Sequence, residues 1–280
     1  MTTPVRALLL LLLLVAAAGA IGLGVIVPYL ERRWTYRIVK EMPDAPWQTP
    51  EGAEKVTFPA ADRVRLRGWF FNAVPPSNGV TVLILPGNYG ELPTYVSKIR
   101  YLQQRGFDLL LFNYRGFGMS DGETESEATL TRDAEAALHY LTAERGLDAR
   151  NIAIAGISLG APVAATLAAR SRCRAVALIS TVASARSQAE SGIPWMPRIV
   201  LEYLGSPFNA AASIGKARCP AIVVHGAYDD VVSSDQARRV YEAAGPRKRL
   251  LLVPTEDHGL LNVPAESYLD DLATFVLEGR

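Results

Sequence analysis

The sequence predicts an α/β fold, with a mostly parallel central sheet covered by helices on both faces. Two observations carry this. From about residue 80 onward, short apolar runs alternate with stretches of helical periodicity, the pattern of strands joined by crossover helices. The apolar run at 152–155 then passes into Gly156-Ile157-Ser158-Leu159-Gly160, after which Leu159, Val163 and Leu167 recur every fourth residue. That change of period marks a sharp strand-to-helix corner with a serine at its apex.

Length and composition fit one such domain plus an appendage. The chain has 280 residues, 49% of them hydrophobic and 20% charged, enough apolar side chains for a large core. The net charge of +1 and the lack of a basic stripe interleaved with aromatics argue against a nucleic-acid partner. The run Arg247-Lys248-Arg249 reads as a solvated strand edge. No internal repeat is evident, and nothing in the sequence indicates an oligomeric state.

Taken in order, residues 7–30 are almost wholly apolar and uncharged. At about 1.5 Å per residue they can cross a bilayer core of roughly 30 Å. The sequence therefore predicts a single-pass transmembrane anchor over 1–30, with a cleaved signal peptide ending near Ala18-Gly19-Ala20 as the alternative. Arg32, Arg33, Arg37 and Lys40 follow the span and Arg6 precedes it, which by charge asymmetry places the following domain in the cytoplasm. Residues 31–52, with Pro43, Pro46 and Pro50 among Trp34, Tyr36 and Trp47, read as a juxtamembrane linker. The folded domain occupies 53–280.

Within that domain, 54–58 and 64–71 read as a hairpin, 80–85 and 107–112 as strands, and 94–104 as a helix stopped by Gly106. Asn113-Tyr114-Arg115-Gly116-Phe117-Gly118 is a tight glycine loop. No lysine follows at phosphate-loop spacing, so it is read as bracing for the floor of a site. Further elements are a helix at 126–144, strands ending at Ile179, Val224 and Val253, a helix near 233–244 and a last helix from Pro264. Between them, about 181–217 is a longer excursion that reads as a small cap insert. Its Trp195, Met196 and Phe208 either line an apolar groove or pack the insert down.

A serine hydroxyl becomes a nucleophile only when a base removes its proton. Of the three histidines, His139 lies in a helical stretch and His225 ends a strand before a turn. His258, in the polar loop after the strand ending at Val253, is the candidate base by elimination. The acid that would orient it is Asp229 or Asp230, both following His225-Gly226. The order serine, aspartate, histidine is that of one hydrolase architecture among three unrelated ones.

There are two cysteines and no Cys-x-x-Cys or histidine-rich cluster, so a structural metal site is not expected. Cys173 and Cys219 each precede a strand. Were those strands parallel neighbours, both would lie at the sheet edge away from Ser158, as two buried thiols, the favoured reading, or as a disulfide. A pairing would argue for an oxidising compartment and against the cytoplasmic assignment, so the side of the membrane stays open.

Four stretches carry a family resemblance: Leu85-Pro86-Gly87-Asn88, Asn113 to Ser120, Gly156 to Gly160, and His225-Gly226 with Asp229 and Val232. Together with His258 they span about 55 to the C-terminus and make the chain resemble the α/β-hydrolases. It is most similar to the membrane-anchored serine hydrolases related to acyl-protein thioesterases and Bem-type proteins. The resemblance implies a Ser158–Asp229–His258 triad, with Asp229 preferred because the acid lies three residues after the His-Gly turn. It implies an oxyanion hole from the backbone N–H groups of Leu159 and Asn88. It implies cleavage of a small-molecule or lipidated ester or thioester without a cofactor. Pro86 stands where relatives have histidine, and Ser233 where they have proline. A peptidase of the same fold and a catalytically idle binding protein are the competing expectations.

Overall fold

The computed structural model describes residues 48–88, 92–192, 208–255, 257–260 and 262–279, with Gly19, Gly22, Gly24 and Trp195 as isolated positions. The predicted anchor, the linker up to residue 47 and most of the cap between 193 and 207 lie outside these residues. Among the described residues no helix is long and apolar enough to cross a membrane.

Eight strands form a single sheet: β1 (Ala53–Pro59), β2 (Arg65–Phe71), β3 (Thr81–Leu85), β4 (Asp108–Asn113), β5 (Ile152–Ile157), β6 (Val176–Ile179), β7 (Ala221–Gly226) and β8 (Lys248–Val253). Their spatial order is β1-β2-β4-β3-β5-β6-β7-β8. The predicted hairpin pairs β1 with β2 antiparallel, and β2 is antiparallel to β4. Every other pairing is parallel. Two reversals make β1 run the same way as β4, so the chain enters the domain at the edge where the parallel strands begin.

Alternation along β3 shows how one strand serves two cores. Val82 and Ile84 face one side with α1 (Val96–Gln103) and α7 (Leu269–Glu278). Leu83 and Leu85 face the other, beneath α2 (Glu127–His139), α3 (Gly160–Arg170), α5 (Ala210–Ile214) and α6 (Ser234–Ala243). All four side chains are buried, each contributing roughly 1.5–3 kcal/mol of transfer free energy. A strand buried on both faces has little room for polar side chains, hence the nearly unbroken apolar runs, Thr81 being the buried exception in β3.

Several predicted boundaries shift for local reasons. The helix before Gly106 is preceded by a 3-10 turn over Leu92–Tyr95. Ser126 caps α2 rather than joining it: its Oγ accepts from Thr129 N–H while Thr129 Oγ1 accepts from Ser126 N–H at 3.2 Å. The last turn of that segment, Tyr140–Glu144, is a π-turn. Pro264 starts only the 3-10 turn Ala265–Ser267, because Tyr268 then leaves helical geometry at φ −150 to reach the core. In the cap, α4 (Ala185–Gly192) and α5 are described. Phe208 is buried in the core with its N–H donating to Glu127 Oε2 at 2.6 Å, whereas Trp195 is 81% exposed. Of the proposed groove residues, Phe208 therefore packs the insert down, and Met196 lies outside the described residues.

The structure joins Cys173 and Cys219 in a disulfide with Cα atoms 6.0 Å apart, correcting the expectation of two free thiols. The cause is register. Val176 of β6 lies opposite Ala221 of β7, so the residues just before each strand meet at the sheet edge.

The glycine loop after β4 braces the fold through Arg115. Its Nη2 lies 2.6 Å from Asp133 of α2, its Nη1 lies 2.7 Å from Asp62 in the β1–β2 turn, and its own N–H donates to Asp133 at 2.8 Å. Arg115 and Asp133 are both buried, so losing Arg115 would strand the Asp133 carboxylate at roughly 3–5 kcal/mol, whereas Arg115 without Asp133 keeps Asp62.

Candidate active site

Ser158 follows the last residue of β5 and precedes α3 by two positions. Its φ is +51°, a left-handed conformation that costs a non-glycine residue roughly 1–2 kcal/mol. Two backbone hydrogen bonds hold it there: Ser158 N–H donates to Ile179 O at 2.8 Å, and Ser158 O accepts from Ala161 N–H at 3.0 Å. The flanking glycines are steric necessities. A Cβ on Gly156 would lie 2.3 Å from Gly160 O, and one on Gly160 would lie 2.1 Å from Leu85 O. Strand, corner and neighbouring strand approach too closely for any side chain at either position.

His258 comes to this corner from the loop after β8. Its Nε2 lies 2.8 Å from Ser158 Oγ and its Nδ1 lies 2.8 Å from Asp229 Oδ2. With Nδ1–H donating to the carboxylate, Nε2 is left to accept the serine proton. The geometry is that of a relay in which the base is within reach of the hydroxyl and is itself oriented by an acid.

Asp229 lies in the loop after β7, its side chain fully buried beside a partly exposed His258. Burial opposes its ionisation. The hydrogen bond from His258 and the N–H of Val232 outweigh that and hold its carboxyl below the usual value. Its Oδ1 also accepts from Val231 N–H at 3.0 Å and Val232 N–H at 2.9 Å. Asp230, the alternative in the sequence, is exposed and makes none of these contacts.

The other predicted positions fall nearby. Leu159 is buried at the N-terminus of α3, where helical N–H groups converge. Asn88 is half-buried, one residue after Gly87 in the loop leaving β3. Of the remaining histidines, His139 is exposed on α2, as expected for a helix surface.

His225 does more than shape a turn. It is fully buried, its Nε2–H donates to Val232 O at 2.8 Å, and Nε2 lies 3.4 Å from Asp229 Oδ2. Burial pushes its pKa below the usual imidazole value, so the neutral ring is favoured.

Two supporting residues escaped the sequence reading. Tyr95 is buried in the turn before α1, and its hydroxyl accepts from Gly87 N–H at 3.1 Å, tying down the loop that carries Asn88. Burial pushes this phenol up to about 12. Ser180 closes β6 with φ +51°, and its Oγ accepts from Gly259 N–H at 3.0 Å, one residue past His258. A serine one residue past a strand resembles any turn serine, and a tyrosine before a helix resembles any core aromatic. Only adjacency in space separates them.

Comparison with known proteins agrees with this architecture. The family model for the alpha/beta hydrolase fold matches residues 80–212. The protein YfhR of Escherichia coli is 31% identical over 237 residues, covering 81% of this chain and 82% of YfhR. The esterase Pf2001 of Pyrococcus furiosus superposes with a TM-score of 0.69 at 20% identity, over 86% of this chain and 98% of the esterase. The enol-lactonase of Burkholderia xenovorans superposes with a TM-score of 0.62 at 17% identity, over 80% of this chain and 100% of the lactonase. At these identities the two structures speak to the fold.

Proposed function

This chain belongs to the alpha/beta hydrolase fold family, and from that premise we propose that it is a serine hydrolase cleaving a carboxylic ester or thioester through an acyl-serine intermediate. The observation that carries this is the contact chain Ser158 Oγ, His258 Nε2, His258 Nδ1, Asp229 Oδ2, with 2.8 Å at each hydrogen bond.

In the proposed cycle Ser158 Oγ attacks the carbonyl carbon while His258 Nε2 takes the hydroxyl proton. Asp229 keeps Nδ1 protonated and stabilises the imidazolium. The carbonyl oxygen, now carrying the negative charge, is held by the backbone N–H groups of Leu159 and Asn88, each donor worth roughly 3 kcal/mol of barrier. The tetrahedral intermediate collapses, and His258 returns its proton to the leaving alkoxide or thiolate. Water then attacks the acyl-serine with His258 again as base, releasing the carboxylic acid and restoring the hydroxyl. The cycle requires no metal or cofactor.

The apolar run at 7–30 favours membrane attachment and a hydrophobic or lipidated acyl substrate, in keeping with the resemblance to membrane-anchored thioesterase-like hydrolases. The test is covalent labelling. A fluorophosphonate probe should modify the intact protein and leave Ser158→Ala unmodified. Labelling that persists in the alanine variant assigns the wrong nucleophile, and an unreactive wild type points to an idle fold.

A further inference from the structure

The end of the sheet opposite Ser158 carries a concentration of positive charge that the proposed chemistry does not use. Arg172 and Arg174 precede β6, Lys216 and Arg218 precede β7, Arg247 precedes β8 and Lys248 opens it. Val176 lies opposite Ala221, and Ala221 opposite Lys248, so these three stretches stand side by side at strand spacings of about 4.8 Å.

Arg172, Lys216, Arg218 and Arg247 are exposed. Nearby Arg150, Arg170 and Arg249 have acidic partners, whereas the six cations form no ion pair with a described residue. Arg174 bonds to backbone carbonyls, and Lys248 to backbone carbonyls and to the Tyr241 ring 4.8 Å from its Nζ, so neither charge is met by a carboxylate. The exposed acids beside the row are Asp148, which pairs with Arg150 and feels the charge of Arg172, and Glu242 and Glu278, at the ends of α6 and α7. A chain of net charge +1 has thus gathered a surplus of cations along one edge.

The chain also enters the domain at this end of the strands, on the opposite flank of the sheet, where β1 is the edge strand farthest from β8. β1 runs parallel to β4 through its two antiparallel pairings, and Glu54 near its start pairs at 2.8 Å with Arg145, which follows the π-turn Tyr140–Glu144 seven residues before β5. Upstream, residues 31–47 connect the domain to the apolar run at 7–30, a tether of at most ~60 Å. The tether supplies proximity to a membrane, and the charge supplies a preferred face.

We propose that the β6–β8 edge rests against an anionic phospholipid surface. Each cation near such a surface strengthens partitioning about fivefold. The orientation has a consequence for the site. Six-residue strands separate the basic row from Ser158 by roughly 20 Å, about two screening lengths at physiological salt. The serine then opens away from the headgroups, so a lipidated substrate must carry its ester or thioester out of the bilayer to reach it. The docking itself does not rest on the hydrolase reading.

The test uses the full chain on lipid nanodiscs, read by amide hydrogen exchange. Segments 170–176, 215–220 and 245–249 should exchange at least about fivefold more slowly on discs containing anionic phosphatidylglycerol than on phosphatidylcholine discs at low salt. The difference should collapse at about 0.5 M salt. It should also vanish in the variant combining Arg172→Gln, Lys216→Gln, Arg218→Gln and Arg247→Gln, whose thermal midpoint and probe labelling stay at wild-type values. Equal exchange on both discs overturns the proposal. So does protection centred on 228–232, which would turn the site toward the bilayer. Slowing by soluble heparin but not by anionic discs overturns it in favour of a soluble polyanion.

Discussion

Replacing Gly160 with alanine adds one methyl group where three backbone atoms already meet. The new Cβ would lie 2.1 Å from Leu85 O, 2.7 Å from Leu85 C and 2.7 Å from Pro86 O. Ordinary contact with carbon lies near 3.5 Å, so the gap must open by roughly 1 Å, and no side chain can rotate aside to supply it. Leu85 ends a buried strand, and the movement passes into Gly87 and Asn88, the loop tied by Tyr95. Overpacking of this kind costs about 1–3 kcal/mol. A displacement of about 1 Å at the proposed oxyanion loop would cost on the order of a hundredfold in rate. The variant should therefore lose fluorophosphonate reactivity about a hundredfold and melt several degrees lower. The readouts are the second-order labelling rate and a thermal scan, with Gly245→Ala as control because its Cβ would meet nothing within 4 Å. A Gly160→Ala protein that labels at the wild-type rate with an unshifted midpoint would refute the packing argument and the loop's role together.

Other perturbations probe separate links. Asp229→Asn should keep the fold but lower kcat about ten-thousandfold, since an amide no longer fixes the His258 tautomer; activity within tenfold of wild type would remove Asp229 from the relay. Burial lowers the pKa of His225, so the unfolded chain binds its proton more readily, near pH 6.5. Stability from this group is full above that value and is lost as pH falls toward the folded pKa. Denaturant melts between about pH 7.5 and about 5.5 should show a shallower decline for His225→Asn, and an unchanged slope would show that the ring is not buried neutral. Removing the disulfide by Cys173→Ser with Cys219→Ser opens a closure of sequence separation 46, worth about 4 kcal/mol by chain entropy. Reductant should lower the wild-type midpoint comparably and leave the double variant unmoved, and a thiol assay that finds two free cysteines in the wild type ends the argument.

Much of the fold was legible because its physics is local. A strand buried on both faces must be almost wholly apolar, so 80–85 and 152–155 declared themselves. The corner at Ser158 was legible too, since close approach to Leu85 and Ala164 admits only glycine at 160 and 156. The histidine that the fold brings to Ser158 is also the one that elimination among three histidines singles out. The choice of Asp229 over Asp230 was different. The residues alone left both open, the family resemblance favoured the first, and the fold buries one while exposing the other.

What only tertiary structure could decide depends on register and on groups distant in the chain. Cys173 meets Cys219 because β6 and β7 are aligned neighbours, a fact no local periodicity encodes. Tyr95 and Ser180 carry no motif, and each matters through one hydrogen bond to a backbone N–H beside the site. The basic edge is likewise scattered over three segments, of which a search for charge runs finds only Arg247 to Arg249. The sequence by itself determined which residues could be strand, corner and base, because burial and sterics act within a few positions. The sheet decided which of them meet, because contacts between segments separated by up to a hundred residues are set by strand order and alignment.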